Sequence, residues 1–129
     1  MTIELTLLAW TLLLALIQVL LPALLRNRET GIAYNTGARD QPGAPVGKIT
    51  GRLMRAQSNL FETLPVFAAA VLIAHVAGRD DAHTALGAWL YLCARVVYVP
   101  LYAAGVPYVR SLVWVVSLAG ILLVLGRLI

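Results

Sequence analysis

Four long runs of apolar residues, separated by short polar stretches, dominate the chain. Each run is nearly free of charged residues and approaches the length of about 20 residues that a helix needs to cross a bilayer. Their spacing leaves no room for a separate soluble domain. The pattern predicts one all-α domain over residues 1–129, an integral membrane four-helix bundle. Its helices are expected at about residues 4–25, 52–77, 83–104 and 108–128.

The composition agrees with a membrane protein. Of the 129 residues, 60% are hydrophobic and only 12% are charged, and the mean hydropathy is +0.84. A typical soluble domain carries about 25% charged residues. The first apolar run has no Lys or Arg before Thr11 and is longer than the core of a signal peptide, so we expect a retained helix in contact with membrane lipids. Cys93 is the only cysteine, which excludes an internal disulfide and a multi-cysteine metal site; we expect no bound metal.

Basic residues are concentrated in the predicted connection at residues 26–51 and its flanks, which hold six Lys or Arg against two acidic residues. The positive-inside rule therefore places this connection in the cytoplasm, together with the connection that precedes Arg110. Both termini would then lie on the non-cytoplasmic face, although Arg127, near the C-terminus, favours the opposite orientation. The net charge of +4 reflects this orientation, because no basic groove with interleaved aromatic residues indicates nucleic-acid binding.

The connection at residues 26–51 also contains several glycines and the turn signal QPGAP, residues 41–45. Two interpretations of this loop remain open. It can be a plain linker, or it can order against the bundle or drape over a site.

Polar residues interrupt the second apolar run in the stretch RAQSNLFETLPVF, residues 55–67. At about 100° per residue, Arg55, Asn59 and Glu62 fall on one face of a helix, whereas Gln57 points away from it. Similar stripes are expected on the third and fourth helices: Tyr91, Arg95, Tyr98 and Tyr102, and then Arg110, Trp114 and Ser117.

The second and third helices are antiparallel in this topology, which brings Glu62 and Arg95 to the same depth in the bilayer. An unpaired charge near the middle of a membrane costs about 2.5–3.5 kcal/mol. We therefore predict a structural ion pair between these two side chains inside the bundle. Such a pair could also do no more than hold the helices in register.

The remaining polar residues of the stripes lie nearer the cytoplasmic end and offer guanidinium, amide and phenol groups together. Because guanidinium groups bind carboxylates well, their convergence predicts a pocket for a small, polar, anionic ligand. Taken singly, the tyrosines could form an interfacial belt, and Arg110 could extend toward the lipid headgroups. The residues of this predicted pocket are Arg55, Asn59, Tyr98, Tyr102 and Arg110.

Two motifs carry a family resemblance: RAQSNLFETLP, followed by LYLCARVVYVPLY. Together they resemble the MAPEG superfamily, the membrane-associated proteins in eicosanoid and glutathione metabolism, in the form of its short bacterial members. The resemblance implies a homotrimer of four-helix subunits in the bacterial inner membrane. It also implies that glutathione, as a co-substrate, binds between neighbouring subunits at the cytoplasmic side.

The resemblance further implies roles for individual residues. Gln57 is similar to the residue that reaches the ligand of the adjacent subunit, and Arg26 or Arg28 to an arginine that helps to hold it. Arg95 resembles the structural arginine of the third helix. Thr63 departs from the pattern, since leukotriene C synthase has a tyrosine at that place. The glutathione contacts within one subunit would be Arg55, Asn59, Glu62, Tyr98 and Tyr102.

Arg110, in the stretch VRSLVW, resembles the family's arginine that stabilises the glutathione thiolate, and it would be the catalytic residue. A free thiol has a pKa of about 8.5, and a nearby arginine lowers it by about one to three units. The thiolate would then attack a lipophilic electrophile dissolved in the bilayer. Trp114, one turn further on, would line the cleft for that substrate or simply face lipid.

Two functions follow from the resemblance. The first is a microsomal-type glutathione S-transferase, or a related peroxidase or isomerase, acting on lipophilic compounds in detoxification. The alternative is a non-catalytic trimer that binds lipids or a partner and tolerates the loss of Arg110. A small transporter would need polar residues through the full depth of the membrane, whereas the outer half offers only His75.

Overall fold

The computed structural model describes residues 1–129 and contains helices and turns but no strand. Four of its five helices are long and apolar enough to cross a membrane, which confirms the predicted all-α membrane fold. The short one, α2, lies in the first connection. The helices are α1 (Ile3–Glu29), α2 (Ile32–Thr36), α3 (Lys48–Val76), α4 (Ala82–Ala104) and α5 (Pro107–Leu125).

The first connection is shorter and more ordered than the predicted loop at residues 26–51. Helix α1 continues to Glu29, and its carboxylate accepts hydrogen bonds from the Gly47 backbone N–H at 3.1 Å and the Thr50 hydroxyl at 2.9 Å. A negative charge is favourable at the N-terminus of a helix, so Glu29 stabilises the start of α3 at Lys48. This contact spans the whole connection, which sequence periodicity could not show.

Helix α2 is tied to the end of α1 by side-chain hydrogen bonds. Asn35 accepts from the Thr30 hydroxyl at 2.7 Å and donates to Asn27 at 3.0 Å. Tyr34, inside α2, donates from its hydroxyl to the carbonyl of Gln41, which lies beyond the helix, at 2.7 Å. The two ends of this segment are therefore ordered, whereas residues 37–45 between them are exposed and irregular.

Helices α4 and α5 form the most extensive contact in the bundle, and glycines allow it. A Cβ added at Gly87 would lie 2.5 Å from the Gly120 carbonyl oxygen, and one added at Gly120 would lie 2.5 Å from the Gly87 carbonyl oxygen. Small residues of this kind let membrane helices approach closely. The core between α3 and α4 is filled by Phe67 and Tyr91, whose rings stack with centroids 4.1 Å apart.

The bundle has two ends, which we name by their connections. The loop end carries the α1–α3 connection and the α4–α5 turn at Gly105, and the far end carries the α3–α4 turn and both chain termini. Helices α1 and α4 both begin at the far end, where the Thr84 hydroxyl donates to the buried Glu4 carboxylate at 2.6 Å. They therefore run parallel to each other and antiparallel to α3 and α5.

Arg52 fixes the turn between α4 and α5 at the loop end. Its guanidinium donates to the Ala103 carbonyl at 3.1 Å and packs against Gly105, which has a φ of +75°. A positive φ at this position is a common way to end a helix, and a cation near the last carbonyls is favourable. Because α5 begins at Pro107, this turn also sets the position of Arg110.

Candidate functional site

A cavity of about 370 Å³ opens at the loop end between α3, α4 and α5. Its wall is mostly polar, which is unusual for a surface formed by three membrane-length helices. A volume of roughly 300–1,000 Å³ suits a small-molecule ligand. The lining residues are Arg55, Ser58, Asn59, Glu62, Tyr98, Tyr102 and Arg110.

The structure brings together all the residues predicted to line an anionic pocket. It adds Ser58, which was not predicted because a single serine is common in membrane helices. A signal for it did exist, since Ser58 lies three residues after Arg55 and four before Glu62, on the same helix face. The short α4–α5 turn also places Arg110 on the cavity wall.

Arginine and tyrosine side chains alternate along one side of the cavity. The Arg110 guanidinium lies 4.4 Å from the centroid of the Tyr102 ring, and the Tyr102 and Tyr98 rings meet edge to face at 5.6 Å. The Arg95 guanidinium lies 4.4 Å from the Tyr98 ring. Cations are attracted to aromatic faces by roughly 0.5–2 kcal/mol, so the rings hold both arginines in place.

The structure replaces the predicted ion pair of Glu62 and Arg95 with a different contact. Arg95 is fully buried and donates from Nη1 to the Asn59 side-chain oxygen at 2.8 Å. Glu62 is exposed at the cavity and forms no ion pair. The Arg95 side chain extends along α4 toward the loop end, as far as the Tyr98 ring. At that depth it meets Asn59, which lies one turn nearer the loop end than Glu62.

The charged groups of the cavity have no polar partner inside the chain. Arg55, Glu62 and Arg110 take part in none of the chain's ion pairs or side-chain hydrogen bonds, and Arg55 only approaches the Tyr102 ring at 5.9 Å. Every ion pair of the chain lies at the far end. The cavity thus presents two guanidinium groups and one carboxylate whose hydrogen-bonding capacity is free.

Other predicted site residues lie away from this cavity. Gln57 is half-buried on a different face of α3, and Arg26 and Arg28 are in the last turn of α1. None of the three lines the cavity. Trp114 is half-buried one turn beyond Arg110, and its indole N–H is buried without a partner.

An apolar groove of about 270 Å³ runs between α3 and α5, further from the loop end than the cavity. It lies along the same two helices, because Val66 is one turn beyond Glu62 and Leu118 is two turns beyond Arg110. The groove is therefore positioned as an apolar extension of the polar cavity. Its lining residues are Thr63, Val66, Leu118, Ile121, Leu122 and Leu125.

A larger cavity, of about 510 Å³, lies at the far end, but its polar groups are bonded to one another. Arg127 pairs with Asp81, and Arg79 donates to the Arg127 and Leu128 carbonyls. The pKa of the Asp81 carboxyl lies below its ordinary value of 3.8, chiefly because the carboxylate accepts the Thr84 backbone N–H. The far-end cavity therefore offers a ligand few free groups.

Comparison with known proteins agrees with the resemblance seen in the sequence. A search of curated proteins and a search of solved structures gave no match. The family model described as "MAPEG family" matches residues 7–129, nearly the whole chain. This match covers the four long helices, apart from the first four residues of α1, and every residue of the loop-end cavity. The chain is therefore an integral, multi-pass membrane protein that belongs to the MAPEG family, whose members act in glutathione-related chemistry.

Proposed function

We propose that this protein is a membrane-bound glutathione-dependent transferase or peroxidase. In this proposal, glutathione binds in the loop-end cavity, and its thiolate attacks a lipophilic electrophile. The observation that carries the proposal is the convergence of Arg55, Glu62 and Arg110 on one cavity without a partner in the chain. Arg55 and Glu62 are exposed and Arg110 is half-buried, so their charges are accessible and free to pair with the ionic groups of a ligand.

The chemistry of the cavity complements glutathione group by group. Glutathione has two carboxylates, one ammonium, two peptide bonds and a thiol. Arg55 supplies a guanidinium for a carboxylate, and Glu62 supplies a carboxylate for the ammonium. Ser58 and Asn59 offer a hydroxyl and an amide to the peptide groups.

Arg110 is the proposed catalytic residue, because it is the cavity's second free cation. A thiol with a pKa of about 8.5 is only a few per cent ionised at neutral pH, and a nearby positive charge lowers that pKa. Tyr102 holds the guanidinium at 4.4 Å from its ring, which keeps the charge at the cavity. The thiol proton leaves to solvent, and the thiolate sulfur forms a new bond to an electrophilic carbon. The displaced electron pair departs with the leaving group or, in an addition to a double bond, takes up a proton from solvent.

The apolar groove between α3 and α5 supports a lipophilic second substrate. It lies between the same two helices as the cavity, one to two turns further from the loop end, and its lining is almost entirely apolar. A hydrophobic molecule dissolved in the bilayer could enter it laterally and present its reactive carbon to the thiolate. Trp114 lies on α5 between Arg110 at the cavity and Leu118 at the groove. We propose that its side chain contacts a substrate that moves from the groove to the cavity.

Assembly and orientation complete the proposal. We propose a homotrimer in which Gln57 and Arg26 or Arg28 contact the glutathione of a neighbouring subunit, since these residues do not line the cavity of their own chain. The basic residues around the first connection support a cytoplasmic loop end in a bacterial inner membrane. Both termini would then lie on the non-cytoplasmic face.

The ultraviolet thiolate band of bound glutathione tests the proposal. We expect the detergent-solubilised protein to give this difference band near neutral pH, and we expect Arg110→Ala to lose it. Arg127→Ala, which removes an arginine from the far end, should keep the band. If the wild type gives no band but binds glutathione, the protein is not a thiol-activating enzyme, and a non-catalytic lipid- or partner-binding function takes its place.

A further inference from the structure

Two side chains in the interior of the bundle have polar atoms without a partner. Arg95 is 0% exposed, and its Nε and Nη2 donors are free; Gln18 is 4% exposed, and both of its amide atoms are free. Unpaired polar groups in an apolar interior are costly and uncommon. The other buried polar side chains all have hydrogen bonds; they are Glu4, Thr11, Thr50, Thr84 and Ser117.

The parallel helices α1 and α4 place Gln18 level with the Arg95 guanidinium. The two helices are level with each other at the hydrogen bond between Glu4 and Thr84, from which heights along both can be counted. Gln18 lies fourteen residues beyond Glu4, and Tyr98 lies fourteen beyond Thr84, so both are about 21 Å further along. The Arg95 guanidinium lies over the Tyr98 ring and is therefore at this depth.

The antiparallel pair α1 and α3 gives the same depth independently. These helices are joined at the loop end by the hydrogen bond between Glu29 and Thr50. Counting from there, Gln18 is eleven residues along α1 and Asn59 is nine along α3, a difference in height of about 3 Å. Asn59 is the residue that holds Arg95 Nη1, so both helix pairs place Gln18 at about the depth of the guanidinium.

The free groups are also chemically complementary, because a glutamine carbonyl accepts the hydrogen bonds that a guanidinium donates. Gln18 belongs to the buried face of α1, which packs against α3 and α4. We propose that the Gln18 side-chain carbonyl is the partner of the free guanidinium edge of Arg95 through one bridging water molecule. Gln18 would then be a positioning residue, because Arg95 in turn holds Asn59 and Tyr98 on the cavity wall.

This arrangement explains how the proposed site keeps its carboxylate free. A buried arginine without enough acceptors would draw in the nearest acid, and Glu62 is one turn from Asn59. With neutral acceptors from Gln18 and Asn59, the guanidinium does not need Glu62. Its carboxylate stays available for the ammonium of a ligand, which is the part of the inference that rests on the proposed function.

The first experiment needs no ligand and compares thermal unfolding of detergent-solubilised variants. Gln18→Glu should raise the Tm by a few degrees while Arg95 is present, because it gives the guanidinium a carboxylate. In an Arg95→Met background the same change should lower the Tm by roughly 5 °C or more, since it buries an unpaired acid. Equal effects in both backgrounds would overturn the proposal.

Arg95→Lys serves as a second background where Arg95→Met does not fold. Lysine keeps the charge, so Gln18→Glu should again raise the Tm. If Gln18→Glu instead lowers the Tm in the lysine background by roughly 5 °C or more, as a buried acid without a partner does, the proposal is overturned.

A second experiment tests the positioning role through glutathione affinity. We expect Gln18→Leu to raise the glutathione Kd roughly tenfold, because Arg95 then no longer holds Asn59 and Tyr98 on the cavity wall, and indirect effects of this kind on binding have about this size. The control is Thr11→Val on the same buried face of α1, whose hydroxyl bonds only to the Leu7 carbonyl of its own helix. An equal Kd in both variants, with wild-type binding intact, would contradict the role of Gln18. If the wild type does not bind glutathione, the proposed function fails, and the unfolding experiment still decides the contact.

Discussion

Charged side chains at the far end of the bundle bond to one another, whereas Arg55, Glu62 and Arg110 at the loop end line a cavity without polar partners. Asp81 pairs with Arg127, and Asp80 pairs with His75. At the loop end, Arg55 and Glu62 share a wall, yet neither bonds to the other. The far-end cavity is the larger of the two, at about 510 Å³ against about 370 Å³. Free hydrogen-bonding capacity, rather than volume, therefore identifies the candidate site.

The difference has an energetic consequence for ligand binding. An ion entering the far-end cavity must first displace existing pairs, so its gain is offset by the contacts that it breaks. An ion entering the loop-end cavity adds contacts to charged groups that have no existing pair to break. The same residue types thus serve stability at one end and recognition at the other.

The largest difference between the two ends is expected in glutathione binding when the only carboxylate of the loop-end cavity is removed. We expect Glu62→Gln to raise the glutathione KM roughly tenfold to a hundredfold, because it leaves the ligand's ammonium without a counter-charge. Steady-state kinetics with a lipophilic electrophile measures this change. Asp80→Asn is the matched acid-to-amide change at the far end, and a similar KM increase there would remove the distinction between the two ends.

The two ends also allow a matched test of helix-end arginines. Arg52 donates to the Ala103 carbonyl at the end of α4, and Arg79 donates to two carbonyls just beyond the end of α5. Each alanine variant should lose about 0.3–1 kcal/mol of stability. Only Arg52→Ala should also lower kcat, by a few-fold, because its turn positions Arg110.

Melting curves and single-turnover kinetics measured on both variants check this prediction. Arg52→Ala with a normal kcat would mean that the α4–α5 turn keeps its shape without the arginine. A reduced kcat in Arg79→Ala would instead connect the far end to catalysis, against the account given above.

The smallest effect is expected from Asp81, which caps α4 at the far end. Its carboxyl pKa is lowered in the folded protein, chiefly by the Thr84 backbone N–H, so its stabilising contribution is complete above its ordinary value of 3.8. That contribution is lost as the pH falls through the lower folded value. Asp81→Asn should therefore lower the Tm slightly at pH 6 and have less effect near pH 3. Glutathione binding at pH 7 should not change, and a weakened Kd would argue against the separation of the two ends.

Much of the fold and the site was predictable because both depend on helical periodicity. Apolar run length predicted the four long helices, and three polar stripes predicted six of the residues that line the cavity. The partner of Arg95 was not predictable, because a long side chain meets residues a full turn from its own Cα. The end of α1 at Glu29 was missed for a similar reason, since its hydrogen bonds reach across the α1–α3 connection.

The central claim is that the loop-end cavity binds an anionic thiol and the far-end cavity does not. Isothermal titration calorimetry of glutathione into the wild type, Arg55→Ala and Arg127→Ala tests it most directly, because each variant removes one arginine from one cavity. We predict that the wild type and Arg127→Ala bind with equal affinity and that Arg55→Ala binds at least tenfold more weakly, a difference of about 1.4 kcal/mol or more. Unchanged binding by Arg55→Ala together with lost binding by Arg127→Ala would contradict the account.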